Sequence, residues 1–227
     1  MAIVEIKVPY IKGLSKENIY IEGSIVDKGY VIKIEYVSDG KVFYVEIEDG
    51  KYTFKYIYED NIRLNEEMPY NYVIENGEVW SVIKIVKGRK VNRSLHIPLI
   101  LQKVKISNKI LLPHINLPDC RRINKKLDKG INISVYCSGY SGVHSITAIW
   151  RNPYGVIYAL EEKSIELDVP QLQYVYVRLY MGIRQEQYIY EGIWSVDLYI
   201  DGKCLATEAF EIYSGVYGNH PIIDCYM

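Results

Sequence analysis

Three phenylalanines are all this chain carries, against 23 tyrosines. Tyrosine favours strands and keeps one end in water, so the imbalance argues against an oily aromatic interior and for half-buried sheets. No apolar run reaches bilayer length, and the stretch from Ile97 to Leu101 is interrupted by Pro98. The beginning, Met1-Ala-Ile-Val-Glu-Ile-Lys-Val, alternates instead of forming a signal core. The expectation is a soluble, cytoplasmic protein with no membrane partner. No long stretch repeats at the helical period, which excludes a helix bundle.

Catalytic signatures are missing as well. GxSxG, HExxH, GxxxxGK[ST] and GxGxxG are all absent. The histidines, at 96, 114, 144 and 220, stand in no motif. The cysteines, at 120, 137, 204 and 225, are too widely spaced for a zinc knuckle. His114, Cys120, Cys137 and His144 read H-x5-C-x16-C-x6-H, which is no finger pattern. No metal and no cofactor are expected. The acid pairs Glu66-Glu67, Glu161-Glu162 and Glu46 with Glu48 read as solvated strand faces and turns, since a glycosidase needs two carboxylates facing across a cleft. The chain is therefore expected to be no enzyme; the outlying alternative is an unrecognised hydrolase with its cleft between two halves.

What is present is alternation. Trp194, Val196, Leu198 and Ile200 alternate with Ser195, Asp197, Tyr199 and Asp201, a period of two that buries the first set. Asp201-Gly202 supplies a positive-φ turn into Cys204–Ile212. A three-residue loop through Lys203 sets Trp194 opposite Phe210 and Leu198 opposite Ala206, with Glu208 marking a bulge. Turn signals at Asp27-Lys28-Gly29, Asp39-Gly40 and Asp49-Gly50 predict a β-meander over residues 18–58, and Asn76-Gly77 predicts another hairpin. Strands are predicted at 131–137, 145–151, 155–161, 172–180, 193–200 and 204–212, with a turn at Asn152-Pro153-Tyr154-Gly155. The fold class is all-β in two domains. An N-terminal β-meander sandwich or small barrel spans 1–120, a charged linker 121–130, and an antiparallel sandwich 131–227.

Residues 131–213 resemble an immunoglobulin-like or fibronectin-like β-sandwich. Ile131-Asn-Ile-Ser-Val-Tyr-Cys137 is similar to its second strand, Trp150 falls where such domains carry the core tryptophan, and Glu191–Val196 is similar to the tyrosine-corner strand, with Trp194 in the aromatic position. On that mapping Val196 stands at the second cysteine's place and Cys204 falls on the next strand, so pairing of Cys137 with Cys204 stays open. The resemblance implies binding or scaffolding by analogy.

Charge is unevenly spread. Between Lys84 and Lys129 there are 13 Lys and Arg against two acids, Asp119 and Asp128. The middle is thus about +11 and the remainder about −12. Lys103, Lys105, Arg121, Arg122, Lys125 and Lys126 are the candidate phosphate contacts if this segment binds nucleic acid. It contains no Phe, Tyr or Trp, however, and single-strand binders supply aromatic stacking platforms. Docking of the basic middle on acidic surface, its own or a partner's, competes with that reading and is preferred. The leading expectation is a protein-interaction or assembly module, working with a protein partner or as a homo-oligomer. Its candidate contacts are Tyr174, Tyr176 and Tyr180 on a strand edge. Richness in Ile, Lys, Glu and Tyr with little Gln matches a thermophile's composition.

Overall fold

The computed structural model describes residues 1–59, 62–91, 96–109, 119–183 and 189–215. In chain order the elements are β1 (Ala2–Pro9), β2 (Ile19–Glu22), α1 (Ser24–Lys28), β3 (Tyr30–Val37), β4 (Gly40–Ile47), β5 (Gly50–Tyr58), β6 (Ile62–Leu64), β7 (Asn71–Glu75), β8 (Glu78–Val86), β9 (Arg89–Lys90), β10 (Ile100–Ser107), β11 (Arg122–Asn124), β12 (Gly130–Gly139), β13 (Gly142–Arg151), β14 (Ile157–Leu167), β15 (Gln173–Gly182), β16 (Gly192–Ile200) and β17 (Lys203–Tyr213). The chain is all-β, built from several sheets whose pairings are antiparallel, apart from the short parallel pair β11–β17.

In the N-terminal half, β1-β4-β3 form one sheet and β2-β5-β8-β7 another, with β6 added to β5 and β9 to β8. Their facing sides make one core. Ala2, Val4, Ile6 and Val8 alternate inward along β1, opposite Ile47, Val45 and Phe43 of β4. β3 and β4 form a hairpin at the Asp39-Gly40 signal, with Ser38-Asp39 in the turn and Val37 opposite Gly40. Asp49-Gly50 behaves differently: β4 and β5 do not pair, and the chain turns there from one sheet to the other. The Asp49 carboxylate instead accepts from the Lys87 and Gly88 amides at the β8–β9 turn. The predicted meander over 18–58 is thus split between two layers, and Asp27-Lys28 closes α1.

In the C-terminal half, β10-β12-β15 faces β11-β17-β16-β13-β14. Ile131, Ile133, Val135 and Cys137 of β12 and Leu179 and Met181 of β15 pack against Trp150, Trp194, Val196 and Leu198. Both indoles are fully buried, and the Phe210 ring lies 6.0 Å from that of Trp150 and 6.4 Å from that of Trp194. Trp194 Nε1–H donates to Tyr190 O at 2.9 Å, which satisfies the indole's one polar group.

The β16–β17 hairpin has the predicted register, Trp194 opposite Phe210 and Leu198 opposite Ala206, by another route. Its turn has two residues, Asp201 (φ 50°) and Gly202 (φ 76°), and Ile200 faces Lys203. A register shift after Leu198, at Leu205 and not at Glu208, then restores the pairing. Strands β10 and β11 lie elsewhere than their sequence neighbours implied. β10 pairs with β12 and Leu99 and Ile106 enter the second core, while Arg122–Asn124, expected in a linker, pairs with β17.

Candidate interaction surfaces and the buried joint

Two edge strands carry exposed aromatic and aliphatic side chains. In β3, Tyr30 is 69% exposed, Ile32 49%, Ile34 46% and Tyr36 61%, with Val31 also exposed. β3 pairs only with β4, so its other edge is open among the described residues. Ile34 and Tyr36 lie on the inward face, opposite Phe43 and Lys41, but project beyond the core. Lys41 is buried, donates to the Glu17 and Ile19 carbonyls, and has the Tyr20, Tyr36 and Phe43 rings around its ammonium at 5.1 to 5.4 Å. A bulge after Val31 and the Lys33–Glu35 ion pair are the edge's polar features.

β15 is the edge singled out in the sequence. Tyr174 is 82% exposed. Tyr176 is half-buried, its ring 5.2 Å from Tyr136, and Tyr180 donates from its hydroxyl to Lys129 O at 2.9 Å. The Tyr180 amide, which points off this edge, donates to the Glu161 carboxylate of β14. That edge is therefore partly capped by the chain itself.

The outer face of the same sheet joins the two sets of candidates that the sequence kept apart. Register aligns Lys103 with Tyr136 and Tyr176, and Lys105 with Ser134 and Arg178. Lys103 and Arg178 are exposed; Lys105, one row further in, is buried and offers no surface charge. The aromatics missing from 84–129 are thus supplied by β12 and β15. The remaining basic candidates meet acids of the C-terminal half. Arg121 pairs with Asp119 at 2.7 Å and Glu208 at 2.8 Å, Arg122 with Glu211 at 2.9 Å, and Lys125 with Glu191 at 2.6 Å; Lys126 is exposed.

The tip of the β16–β17 hairpin docks on the N-terminal half. A Cβ on Gly202 would stand 2.5 Å from Asn65 O, so only glycine fits there. Beside it, Asp201 Oδ2 lies 2.9 Å from His144 Nδ1 and 3.0 Å from His96 Nε2, and accepts from the Leu99 amide at 3.0 Å. Oδ1 accepts from the Ser145 amide at 3.0 Å. The three side chains are between 0% and 2% exposed. Burial raises the Asp201 carboxyl, but the His144 and His96 contacts outweigh it and hold it at about 2. The Tyr72 ring from β7 packs edge-on against His96 at 4.5 Å. A second buried network flanks this one: Lys55 Nζ reaches Glu162 at 2.9 Å and Glu78 at 3.2 Å, and Asn65 Nδ2 donates to Glu162 at 3.0 Å.

Near this joint lies a cavity of about 340 Å³ walled by Tyr10, Tyr56, Tyr58 and Tyr199 and edged by Glu66 and Cys204. Burial pushes the Glu66 carboxyl up, and partial desolvation together with the nearby Asp197 charge raises the Cys204 thiol. No histidine is among its described lining residues, and its acids, Glu66 and Glu67, are sequence neighbours. Cys120, Cys137 and Cys204 form no disulfide with one another; Cys137 lies in the core and Cys204 is exposed. His114, His220 and Cys225 lie outside the described residues. The His96–His144–Asp201 cluster escaped sequence reading because its members are scattered and Asp201 already had a role in its turn.

No family model matches the sequence, and comparison with curated proteins gives no match. Among solved structures, the chain is similar to the alkylpurine DNA glycosylase AlkC of Pseudomonas fluorescens bound to DNA containing an abasic-site analogue. The identity is 17% and the TM-score 0.31, over 49% of this chain and 30% of that one.

Proposed function

We propose that this chain is a non-enzymatic assembly module that associates with a second copy of itself through β3. The observation that carries this reading is the run of exposed apolar side chains, Tyr30, Val31, Ile32, Ile34 and Tyr36, on one open strand edge. Unpaired edges of this composition are templates for another strand. A second copy fits by charge. Antiparallel pairing centred on Ile34 sets Lys33 of one copy opposite Glu35 of the other, twice over, in the self-complementary arrangement a two-fold axis requires. The C-terminal sheets serve as an immunoglobulin-like platform. The strand order β10-β12-β15 against β17-β16-β13-β14 and the Trp194–Tyr190 bond at the tyrosine-corner position support that part of the reading. Sedimentation velocity across a wide concentration range tests it. A dimer that dissociates on dilution is expected, and a monomer at every concentration overturns it.

A second reading is favoured by one specific observation, the row Lys103–Tyr136–Tyr176 with Arg178 and Tyr174 on the same outer face. Aromatics beside cations are what a single strand needs for stacking and phosphate contact. Fluorescence anisotropy with labelled single-stranded DNA and RNA at low salt decides it: binding lost with Tyr176→Ala supports the reading, and no binding removes it.

A further inference from the structure

We propose that His96, His144 and Asp201 form a binding site for one divalent transition metal ion of the zinc class. Two imidazoles and one carboxylate, from the segment after β9, from β13 and from the β16–β17 turn, bring their ligand atoms within 4.8 Å of one another. Zinc binds nitrogen and oxygen at about 2.0–2.2 Å, so ligands around it stand about 3.3 Å apart. The two contacts to Asp201 Oδ2, at 2.9 and 3.0 Å, need to open by only a few tenths of an ångström.

The surroundings of His144 point the same way. Its Nε2 lies 3.3 Å from the Tyr140 carbonyl, which can only accept, so the tautomer that makes this a hydrogen bond carries its proton on Nε2. Nδ1 then turns its lone pair toward a carboxylate oxygen 2.9 Å away. In that tautomer Nδ1 is the nitrogen free to bind a metal ion beside the carboxylate. An imidazole whose far N–H is held by a carbonyl is the usual support of a metal-bound histidine. The Ser145 and Leu99 amides hold the carboxylate in the same way. The donor set, two nitrogens and an oxygen, suits zinc, cobalt or nickel better than calcium or magnesium. Because the three side chains are buried, the ion enters as the chain folds and fastens the hairpin tip to the N-terminal half.

The full chain is unfolded, refolded with Co2+, and dialysed. The expected result is one cobalt per chain with a ligand-field absorption band, both lost in His144→Gln while a His114→Gln control keeps them. A folded wild type that retains no cobalt overturns the proposal. So does a band that survives in His144→Gln. If His144→Gln does not fold, His96→Cys decides. A new thiolate-to-cobalt charge-transfer band supports the site, and a spectrum identical to wild type overturns it.

Discussion

Strands β3 and β15 are both sheet edges, and both carry tyrosines, yet they are finished differently. On β15 the Tyr180 amide is already taken by Glu161, and Tyr176 and Tyr180 are engaged by Tyr136 and the Lys129 carbonyl. On β3 the apolar side chains stand out on both faces of an edge that only a bulge and one local ion pair interrupt. The difference teaches that tyrosine content does not identify a pairing edge. What counts is whether the rest of the chain has occupied the edge's amides and covered its side chains.

The largest contrast is between buried and open aromatics. Trp150→Ala should cost about 3–5 kcal/mol in urea denaturation, the range for emptying a large core site. Tyr30→Ala on the open edge should cost under about 0.5 kcal/mol to the monomer. A comparable loss at both positions would mean that β3 is packed after all. Next, Ile32→Lys with Ile34→Lys should weaken self-association by roughly 100-fold or more, because two ammonium groups would have to be buried without partners. Tyr174→Lys on β15 should leave association unchanged; analytical ultracentrifugation reads both.

Smaller effects sharpen the picture of the joint that separates the two edges. Glu66 has its carboxyl raised by burial despite Lys90, 3.2 Å away. The folded state therefore holds the proton more tightly than the unfolded one, and this group's contribution is present at low pH and lost as pH rises through its folded value. Glu66→Gln should accordingly stabilise the protein at neutral pH, and the gain should vanish below the ordinary value of 4.5 in denaturation curves taken across pH. The smallest effect is expected from Glu161→Ala. It should speed hydrogen exchange at the Tyr180 amide several-fold with little change in global stability.

Much of the architecture was legible in the residues, since local alternation and turn chemistry act over short distances. The last six strands overlap their predicted spans, although β14 runs on from Ile157 to Leu167, and Asn152 closes its turn by accepting from the Tyr154 and Val156 amides. Trp194 faces Phe210 although the turn has two residues, because the large side chains set the register and the bulge at Leu205 absorbs the mismatch. Long-range choices were not legible. Nothing local in Ile100–Ser107 says that its partner is β12, and nothing local at Asp49-Gly50 says that the next strand joins another sheet. The surfaces show the same limit. Lys103 and Tyr176 are 73 residues apart yet share a row. The open edge left no trace in the sequence: Tyr30-Val-Ile-Lys-Ile-Glu-Tyr-Val keeps Tyr30, Ile32, Ile34 and Tyr36 in one phase and Lys33 and Glu35 in the other, the pattern of an ordinary strand with one buried face.

Hydrogen exchange followed by mass spectrometry at low and high protein concentration tests the contrast between the edges most directly. The account predicts that protection of residues 30–37 rises with concentration while that of residues 173–182 stays constant. Protection that rises on β15 instead, or on neither strand, would contradict it.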